Sequence, residues 1–306
     1  MNNLFAQSRS HWVRYDRYEI KTGKDGKRYI TPEKAAKPDI YNPLKESSEM
    51  VLEALNVGML MMNRSPEDAV EKAILTFVTH YGLLGLMTAL PTTPSFMDYE
   101  AVYLPKNHFI KEESMATEDY LALFYPFDKL DVVKKGVESS WNVSGDNMMI
   151  ALTMTFMDEP MAKNMSFQRE YAEPYDWVAQ QFKDWAFTLT TSVLYYNDYD
   201  SIDEDTRNLY RKAMAAIGGI APTYHIELLE KPTIYWDFHS LLLGIQMMFS
   251  FMLVDGEKPL RLCKHCQKVF LGSRANSAFC SARCKNQYNV YKSRGKNKGQ
   301  DGENDD

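Results

Sequence analysis

The sequence predicts a mainly α-helical body of the α+β class with a few short strands, followed by a small cysteine-rich module at the C-terminus. Three observations support this class. Several segments repeat apolar residues at helical spacing, strand formers occur in short runs, and all four cysteines lie close together near the end of the chain. Apolar residues fill 45% of the 306 positions, enough for the body to bury its own core. A module of about 40 residues usually needs a metal or disulfides to fold.

The four cysteines are Cys263, Cys266, Cys280 and Cys284. Their spacing is C-x2-C, then thirteen residues, then C-x3-C, so each pair can present two sulfurs to one ion and the middle segment can turn back. This pattern is typical of a structural zinc site. We therefore predict one structural Zn2+ ion bound by all four cysteines. Two disulfides or four free thiols are the alternatives, and a cytosolic setting disfavours the disulfides.

The sequence contains no signal for export or membrane insertion that we recognise. The first 20 residues lack an apolar stretch that could form the core of a secretory signal. The most apolar run, Ser240–Val254, has 15 residues and includes Gln246 and Ser250, whereas a membrane span needs about 20 residues. We therefore expect a buried core helix, no membrane partner and a cytoplasmic protein.

Charge is divided unevenly along the chain. The net charge is −6, yet residues 258–298 contain seven Lys, four Arg and no Asp or Glu. With four thiolates and one zinc ion, this module carries about +9. Residues 1–257 contain 37 acidic and 24 basic residues, a net charge of −13. The division indicates a basic interaction module on an acidic body, although basic residues could also serve only to keep a small module in solution.

The chain divides into four predicted parts. Residues 1–32 are expected to form a β-hairpin arm, because strand formers flank a turn sequence at residues 22–26. Residues 33–255 are expected to form a mostly helical acidic domain. Residues 256–298 are the basic four-cysteine module, and residues 299–306 are a disordered acidic tail.

Several elements are predicted inside the acidic domain. An irregular connector rich in proline leads to a first helix over Leu44–Met62. Ser65 and Pro66 suit the cap and first position of the next helix, which should end before Pro91. Further helices are expected at Tyr175–Tyr195, Ile202–Ile217 and Ile234–Val254. Short strands are expected at Ala101–Ile110, as two strands around Pro105, at Met149–Met157 and at Tyr224–Leu229.

Within the module, the pattern predicts a treble clef, which consists of a knuckle, a hairpin and a helix. Residues 263–266 should form the knuckle, and residues 269–279 the hairpin. A helix capped by Ser281 should run to about Lys292, with both cysteines of the second pair in its first turn, where the helix dipole favours a negative zinc–thiolate cluster. His265 is expected to be exposed, because four cysteines already complete the ligand set.

The helix of the module is basic and aromatic, which favours a nucleic-acid partner. Basic side chains can contact phosphates, and the amides of Asn286 and Gln287 can read base edges. Tyr291 can stack on bases, whereas Tyr288 is expected to pack within the module because it lies four residues after a ligand. The candidate contacts are Arg274, Arg283, Lys285, Asn286, Gln287, Tyr291, Lys292 and Arg294.

Residues 262–294 resemble the CGNR-type zinc finger of bacterial stress-linked transcriptional regulators. The matching features are the paired cysteines, Ser273-Arg274, Phe279-Cys280-Ser281 and Cys284-Lys285-Asn286-Gln287. Those proteins place the finger at the C-terminus behind a helical domain, but their Cys-Gly-Asn-Arg differs here at two of four positions. The whole chain is similar to a Firmicutes family in which a helical domain of unknown function ends in CKxCxxxF…FCSxxCxNQYNVYKSR. That likeness implies an architecture and no activity.

No catalytic constellation is recognised in the body, so we expect a non-enzymatic protein. The histidines are isolated, and the sequence lacks a Gly-rich phosphate loop and a nucleophile elbow. The leading interpretation is a DNA- or RNA-binding protein, such as a transcriptional or stress regulator, whose body senses a signal, forms a homo-oligomer or binds another protein. The alternative is an interaction protein in which the finger is a structural or partner-docking module.

Overall fold

A computed structural model of the protein describes residues 8–93, 96–127, 171–197, 200–215, 223–228, 230–255, 257–273 and 277–300. In these ranges the chain forms eight α-helices: α1 (Ser47–Met62), α2 (Glu67–Tyr81), α3 (Leu86–Ala89), α4 (Thr117–Ala122), α5 (Tyr175–Asn197), α6 (Glu204–Ala215), α7 (Leu241–Val254) and α8 (Ala282–Gln300). The strands are β1 (Ser8–Arg9), β2 (Trp12–Tyr15), β3 (Tyr18–Thr22), β4 (Arg28–Pro32), β5 (Pro38–Tyr41), β6 (Ala101–Tyr103), β7 (Ser114–Ala116), β8 (Glu173–Pro174), β9 (Thr223–Leu228), β10 (Pro232–Asp237), β11 (Leu260–Leu262) and β12 (Val269–Leu271). The predicted mainly helical class with short strands is confirmed.

Helix α1 organises the core and contacts α2, α5 and α7. Its apolar residues face the core, and the buried ones are Met50, Val51, Ala54, Leu55, Val57, Gly58 and Met59. Gly58 allows α5 to approach closely, since a Cβ there would collide with the carbonyl oxygen of Phe182. A 3₁₀ turn, Pro43–Glu46, precedes α1, and its Asn42 side chain accepts a hydrogen bond from a backbone N–H at 3.1 Å. Together the turn and α1 cover the first predicted helix.

Helix α2 is the helix predicted after Ser65. Pro66, and not Ser65, occupies the N-cap position of α2, and no side chain forms a capping hydrogen bond at this helix end. The helix ends well before Pro91, because Gly82 follows it with a φ of 89°. Gly85, with a φ of 75°, then leads into the short helix α3.

A buried carboxylate holds the turn between α2 and α3. Glu173 is fully buried and accepts hydrogen bonds from the N–H of Leu84 at 2.9 Å, the N–H of Leu86 at 2.8 Å and the hydroxyl of Tyr171 at 2.6 Å. Burial raises the pKa of Glu173, and these donors offset part of the rise because they favour the charged form. Glu173 belongs to β8, which pairs with β4, so it connects the helical turn to the N-terminal strands.

The predicted N-terminal hairpin is present as the antiparallel strands β3 and β4. The preceding strand β2 pairs with β5, which lies in the segment predicted to be an irregular connector. The β2 residues buried in the same core as the helices are Trp12, Val13 and Tyr15. The indole N–H of Trp12 also donates to the carbonyl of Leu83 at 3.0 Å. These strands therefore pack into the main body.

Other predicted elements differ from the structure. The two strands expected around Pro105 are a single strand, β6, which pairs with β7. The apolar helix begins at Leu241 and not at Ile234, because β10 precedes it and pairs with β9. The Ser240 hydroxyl caps this helix by accepting from a backbone N–H at 3.1 Å. The strand expected at residues 149–157 lies outside the described residues.

The apolar helix α7 packs in the core of the body against α1. Its buried residues are Leu241, Leu242, Gly244, Ile245, Met248, Phe249 and Met252. Across the described ranges, no helix combines the length and apolar character needed to cross a bilayer. The expected buried core helix is thus confirmed, with a shorter span.

Candidate metal centre

The first cysteine pair lies in a turn between two paired strands. β11 and β12 are antiparallel neighbours, and residues 263–268 form the knuckle that connects them. The N–H of Cys263 donates to the carbonyl of Lys268 at 2.9 Å, and the N–H of Gln267 donates to the carbonyl of Cys263 at 2.9 Å. Gln267 adopts a φ of 58°, a left-handed conformation that turns the chain tightly. The knuckle is therefore fixed by backbone hydrogen bonds at both ends.

The second cysteine pair flanks the start of helix α8. The Ser281 hydroxyl accepts from the N–H of Cys284 at 3.2 Å, so the predicted helix cap is confirmed. Cys284 lies in the first turn, whereas Cys280 precedes the helix, in contrast to the prediction. The N–H of Lys264 donates to the carbonyl of Ala278 at 3.0 Å and joins the two halves of the site.

The four sulfur atoms surround a common point. All four Sγ atoms lie within 4.8 Å of one another, with 3.7 Å between Cys266 and Cys280 and 3.5 Å between Cys280 and Cys284. A disulfide needs about 2.05 Å between its sulfurs, so the four are free thiols. In a tetrahedral zinc site with bonds of about 2.3 Å, neighbouring sulfurs are about 3.8 Å apart. The cluster therefore has the dimensions that one metal ion needs.

The electrostatics of the cluster favour a bound cation. Burial opposes ionisation of Cys263, yet the N–H groups of Cys266, Cys280 and His265 point to its sulfur and lower its pKa to about 6. Burial and the neighbouring sulfurs raise the pKa of Cys280 to about 12, because a second thiolate is repelled by the first. A divalent cation removes that repulsion and lets all the thiols ionise.

Aromatic rings pack against the outer side of the site. The ring of His265 stacks on Tyr291, with centroids 5.8 Å apart and planes inclined by 15°. His265 is half-buried, so the prediction that it is exposed is wrong. Its nitrogens are not part of the metal-ligating group. Phe279 contacts Tyr288 at 5.2 Å, so the predicted packing of Tyr288 within the module is confirmed. The ring of Tyr291 is 62% exposed and can meet a partner.

The hairpin predicted from Val269 to Phe279 is not the one that forms. β12 pairs with β11 before the knuckle, and residues 277–279 are not in a strand. Leu260 of β11 and Val269 of β12 are both buried in the core of the body. Residues 274–276, which include the candidate contact Arg274, lie outside the described residues. The knuckle and the helix are present, and the treble clef as a whole remains a prediction.

Helix α8 carries most of the predicted nucleic-acid contacts, but on two sides. The exposed ones are Arg283, Lys285, Asn286, Tyr291 and Lys292, and Gln287 is half-buried. At about 100° per residue, Arg283 and Gln287 lie on one side of the helix and Lys285 and Lys292 lie nearly opposite. Arg294 also belongs to α8. The structure brings these residues onto one helix without placing them on one face.

The module is docked on the body, a feature that no sequence pattern predicted. The Nδ2 of Asn56 in α1 donates to the carbonyl of Val269 at 3.1 Å, and its Oδ1 accepts from the N–H of Val269 at 2.8 Å. One side-chain amide thus satisfies both backbone groups of a strand residue. The side chains of Leu260 and Val269 join the core of the body. A single Asn in the middle of a helix gives no sequence signal for such a contact.

Comparisons with protein-family models, curated proteins and solved structures give no match for this chain. In the part of the chain that the structure describes, the four cysteines are the only group of His, Cys, Asp or Glu residues with metal-ligating geometry. A functional conclusion therefore depends on the geometry and charge of this site.

Proposed function

We propose that the four-cysteine cluster binds one structural Zn2+ ion and that the basic module around it binds nucleic acid. The observation that carries the first part is the set of four sulfurs within 4.8 Å of one another. Soft thiolate ligands in a tetrahedral arrangement suit zinc, and four protein ligands leave no open position for catalysis. The ion would therefore fix the fold of the module.

Helix α8 supports the second part of the proposal. It has 19 residues, so it is about 28 Å long, and it is basic, with mostly exposed side chains over residues 282–293. Asn286 lies opposite the side that packs on the module, with Lys285 and Lys292 to one flank and Arg283 to the other. A helix in a major groove about 12 Å wide has phosphates on both flanks and base edges ahead of it. This geometry favours Asn286 over the half-buried Gln287 as a base-reading residue.

The resemblance of residues 262–294 to CGNR-type fingers supports a role as a transcriptional or stress regulator. The acidic body is the part that would sense a signal, bind another protein or form a homo-oligomer. Its net charge of −13 repels nucleic acid, so contacts would be confined to the module. DNA and RNA are both partners that the module's charge fits.

The zinc proposal is tested on the full chain by metal analysis and X-ray absorption. We expect one zinc per chain with four sulfur ligands at about 2.3 Å. Cys266→Ser and Cys280→Ser should release the metal, whereas His265→Ala should retain it. Nitrogen ligands, or loss of zinc on changing His265, would show that the ligand set is wrong.

The nucleic-acid proposal is tested by fluorescence anisotropy of the zinc-loaded full chain with labelled duplex DNA and single-stranded RNA. Lys285→Gln should weaken binding to every sequence, because it removes a phosphate contact. Asn286→Ala should change the preference among sequences. Lys106→Gln, an exposed lysine of the body, is the matched control and should change neither. Equal effects of all three variants would reject a helix-in-groove contact.

One observation favours a second function, in which the module is a structural part of the body. The contact of Asn56 with Val269 and the burial of Leu260 make the module part of the core. In that case removal of zinc would lower the stability of the body, and neither nucleic acid would bind at low salt. The anisotropy experiment separates the two functions.

A further inference from the structure

The four cysteines of the metal centre differ in their access to solvent. Cys280 is exposed, Cys266 and Cys284 are half-buried, and Cys263 is fully buried. The three residues that follow Cys280, residues 281–283, are also exposed. A small solute that approaches the cluster from solvent therefore meets Cys280 first.

A second sulfur lies within reach of Cys280. The Sγ atom of Cys280 is 3.5 Å from that of Cys284 and 3.7 Å from that of Cys266. A disulfide of about 2.05 Å would need the nearer pair to approach by about 1.5 Å. Cys280 precedes α8 and lies in neither a helix nor a strand, so its backbone can make this shift. Cys266 belongs to the knuckle, which backbone hydrogen bonds hold at both ends, so Cys284 is the favoured partner.

We propose that Cys280 and Cys284 form a thiol switch, in which a hydroperoxide oxidises Cys280 and Cys284 then forms a disulfide with it. The switch rests on the proposed zinc site, because a zinc-bound sulfur is held as a thiolate, the form that attacks a peroxide. The exposed sulfur reacts first, and the neighbouring sulfur resolves the product.

The reaction has two steps, and two electrons pass from the sulfurs to the peroxide. In the first step, the thiolate of Cys280 attacks the peroxide oxygen that carries hydrogen. The O–O bond breaks, an S–O bond forms, and the other oxygen takes a proton and leaves as an alcohol, or as water when the peroxide is H2O2. In the second step, the sulfur of Cys284 attacks the sulfenic sulfur, the S–O bond breaks, and the oxygen takes a proton and leaves as water. In sum, two thiols and one hydroperoxide give one disulfide, one alcohol and one water.

The disulfide removes two of the four metal ligands. Cys263 and Cys266 alone are an incomplete tetrahedral set, so the zinc is released. Helix α8 then loses the metal that joins it to the knuckle. Nucleic-acid binding through α8 is therefore lost until a dithiol reduces the disulfide and zinc binds again.

The switch is tested by adding hydrogen peroxide to the zinc-loaded full chain, with a chromophoric chelator that reports zinc release. Free thiols are then alkylated, and mass spectrometry is applied to a digest that keeps residues 280–284 in one peptide. We expect one zinc released per disulfide, loss of two hydrogen atoms from that peptide, and alkylated Cys263 and Cys266. Reduction with a dithiol and addition of zinc should restore the metal site.

Histidine can replace a cysteine ligand without emptying the site, because three thiolates and one imidazole also bind zinc. Cys280→His removes the sulfur that meets the peroxide and should slow zinc release at least about tenfold. Cys284→His should also slow the release, and Cys280 should then stop at the sulfenic acid, which dimedone labels. Cys266→His is the matched control, because it keeps both sulfurs of the switch and should release zinc at the wild-type rate.

Zinc that stays bound in peroxide would overturn the switch, and so would a disulfide mapped to any other pair of cysteines. A zinc-loaded Cys280→His variant that releases zinc at the wild-type rate would overturn the assignment of Cys280 as the first site of attack. If a histidine variant does not bind zinc, the disulfide mapped in the wild type decides. A wild-type chain that binds no zinc before peroxide is added would instead refute the proposed function, so the two failures are distinguishable.

Discussion

Replacing Asn56 with alanine should loosen the module from the body. The amide of Asn56 makes two hydrogen bonds to Val269, at 3.1 and 2.8 Å, in a partly buried position. A hydrogen bond contributes about 1 kcal/mol net, and an unsatisfied buried group costs about 1–3 kcal/mol. Because water can reach a partly buried strand edge, we expect a loss of about 2 kcal/mol for the pair.

The same substitution should weaken zinc binding. Val269 follows the knuckle directly and lies three residues after the ligand Cys266, so docking and metal binding order the same short segment. The docking energy can then appear in the metal affinity, up to its full value. A loss of about 2 kcal/mol corresponds to a decrease of about 30-fold in zinc affinity.

Zinc affinity is measured by competition with a chromophoric chelator, and stability by chemical denaturation of the zinc-loaded chain. Asn63→Ala is the matched control, because Asn63 is an exposed residue directly after α1. We expect lower stability and lower zinc affinity for Asn56→Ala only. An Asn56→Ala variant that is indistinguishable from the control in both measurements would refute the coupling of the module to the body.

Substitutions at three further positions test the fold by chemical denaturation. Glu173→Gln should destabilise by about 2–3 kcal/mol, since the amide cannot satisfy the donors of the buried turn. The pKa of Glu173 is higher in the folded chain than its usual value of 4.5, so ionisation of Glu173 should lower the stability of the wild type as pH rises above 4.5. Glu173→Gln should lack this part of the pH dependence. Gly58→Ala should destabilise by about 1–3 kcal/mol through collision with Phe182, against the gain of about 1 kcal/mol expected in an isolated helix. Gln267→Gly should be more stable than Gln267→Val by about 2 kcal/mol, because the left-handed φ of 58° strains a β-branched residue. Wild-type stability of Glu173→Gln or Gly58→Ala would contradict the structure at that position. Equal stability of the two Gln267 variants would do the same for the knuckle.

Local chemistry made part of this fold and site predictable. The spacing of the four cysteines brings their sulfurs together because each pair closes a short turn, and Ser281 caps its helix through the next residues of the chain. The β3–β4 hairpin follows from turn residues that lie between its own strands.

The rest depends on contacts that are distant in sequence. Asn56 and Val269 are separated by more than 200 residues, and Glu173 holds a turn that lies nearly 90 residues earlier. Neither residue has a neighbour pattern that marks its role. The apolar run from Ile234 to Val254 reads as one helix because periodicity cannot separate a strand from the buried helix that follows it. Strand β5 was not predicted because Pro38 favours an irregular connector. Proline is nevertheless tolerated at the first residue of a strand, which is the position that Pro38 occupies.

The salt dependence of nucleic-acid binding by the zinc-loaded full chain tests the central claim most directly. A module that contacts about five phosphates predicts a slope near −4.5 for log K against log salt on duplex DNA, and a smaller slope on single strands. Lys285→Gln should flatten this slope by about one unit, and chelation of the zinc should abolish binding. A chain that carries one zinc and binds neither DNA nor RNA at low salt would contradict the proposal.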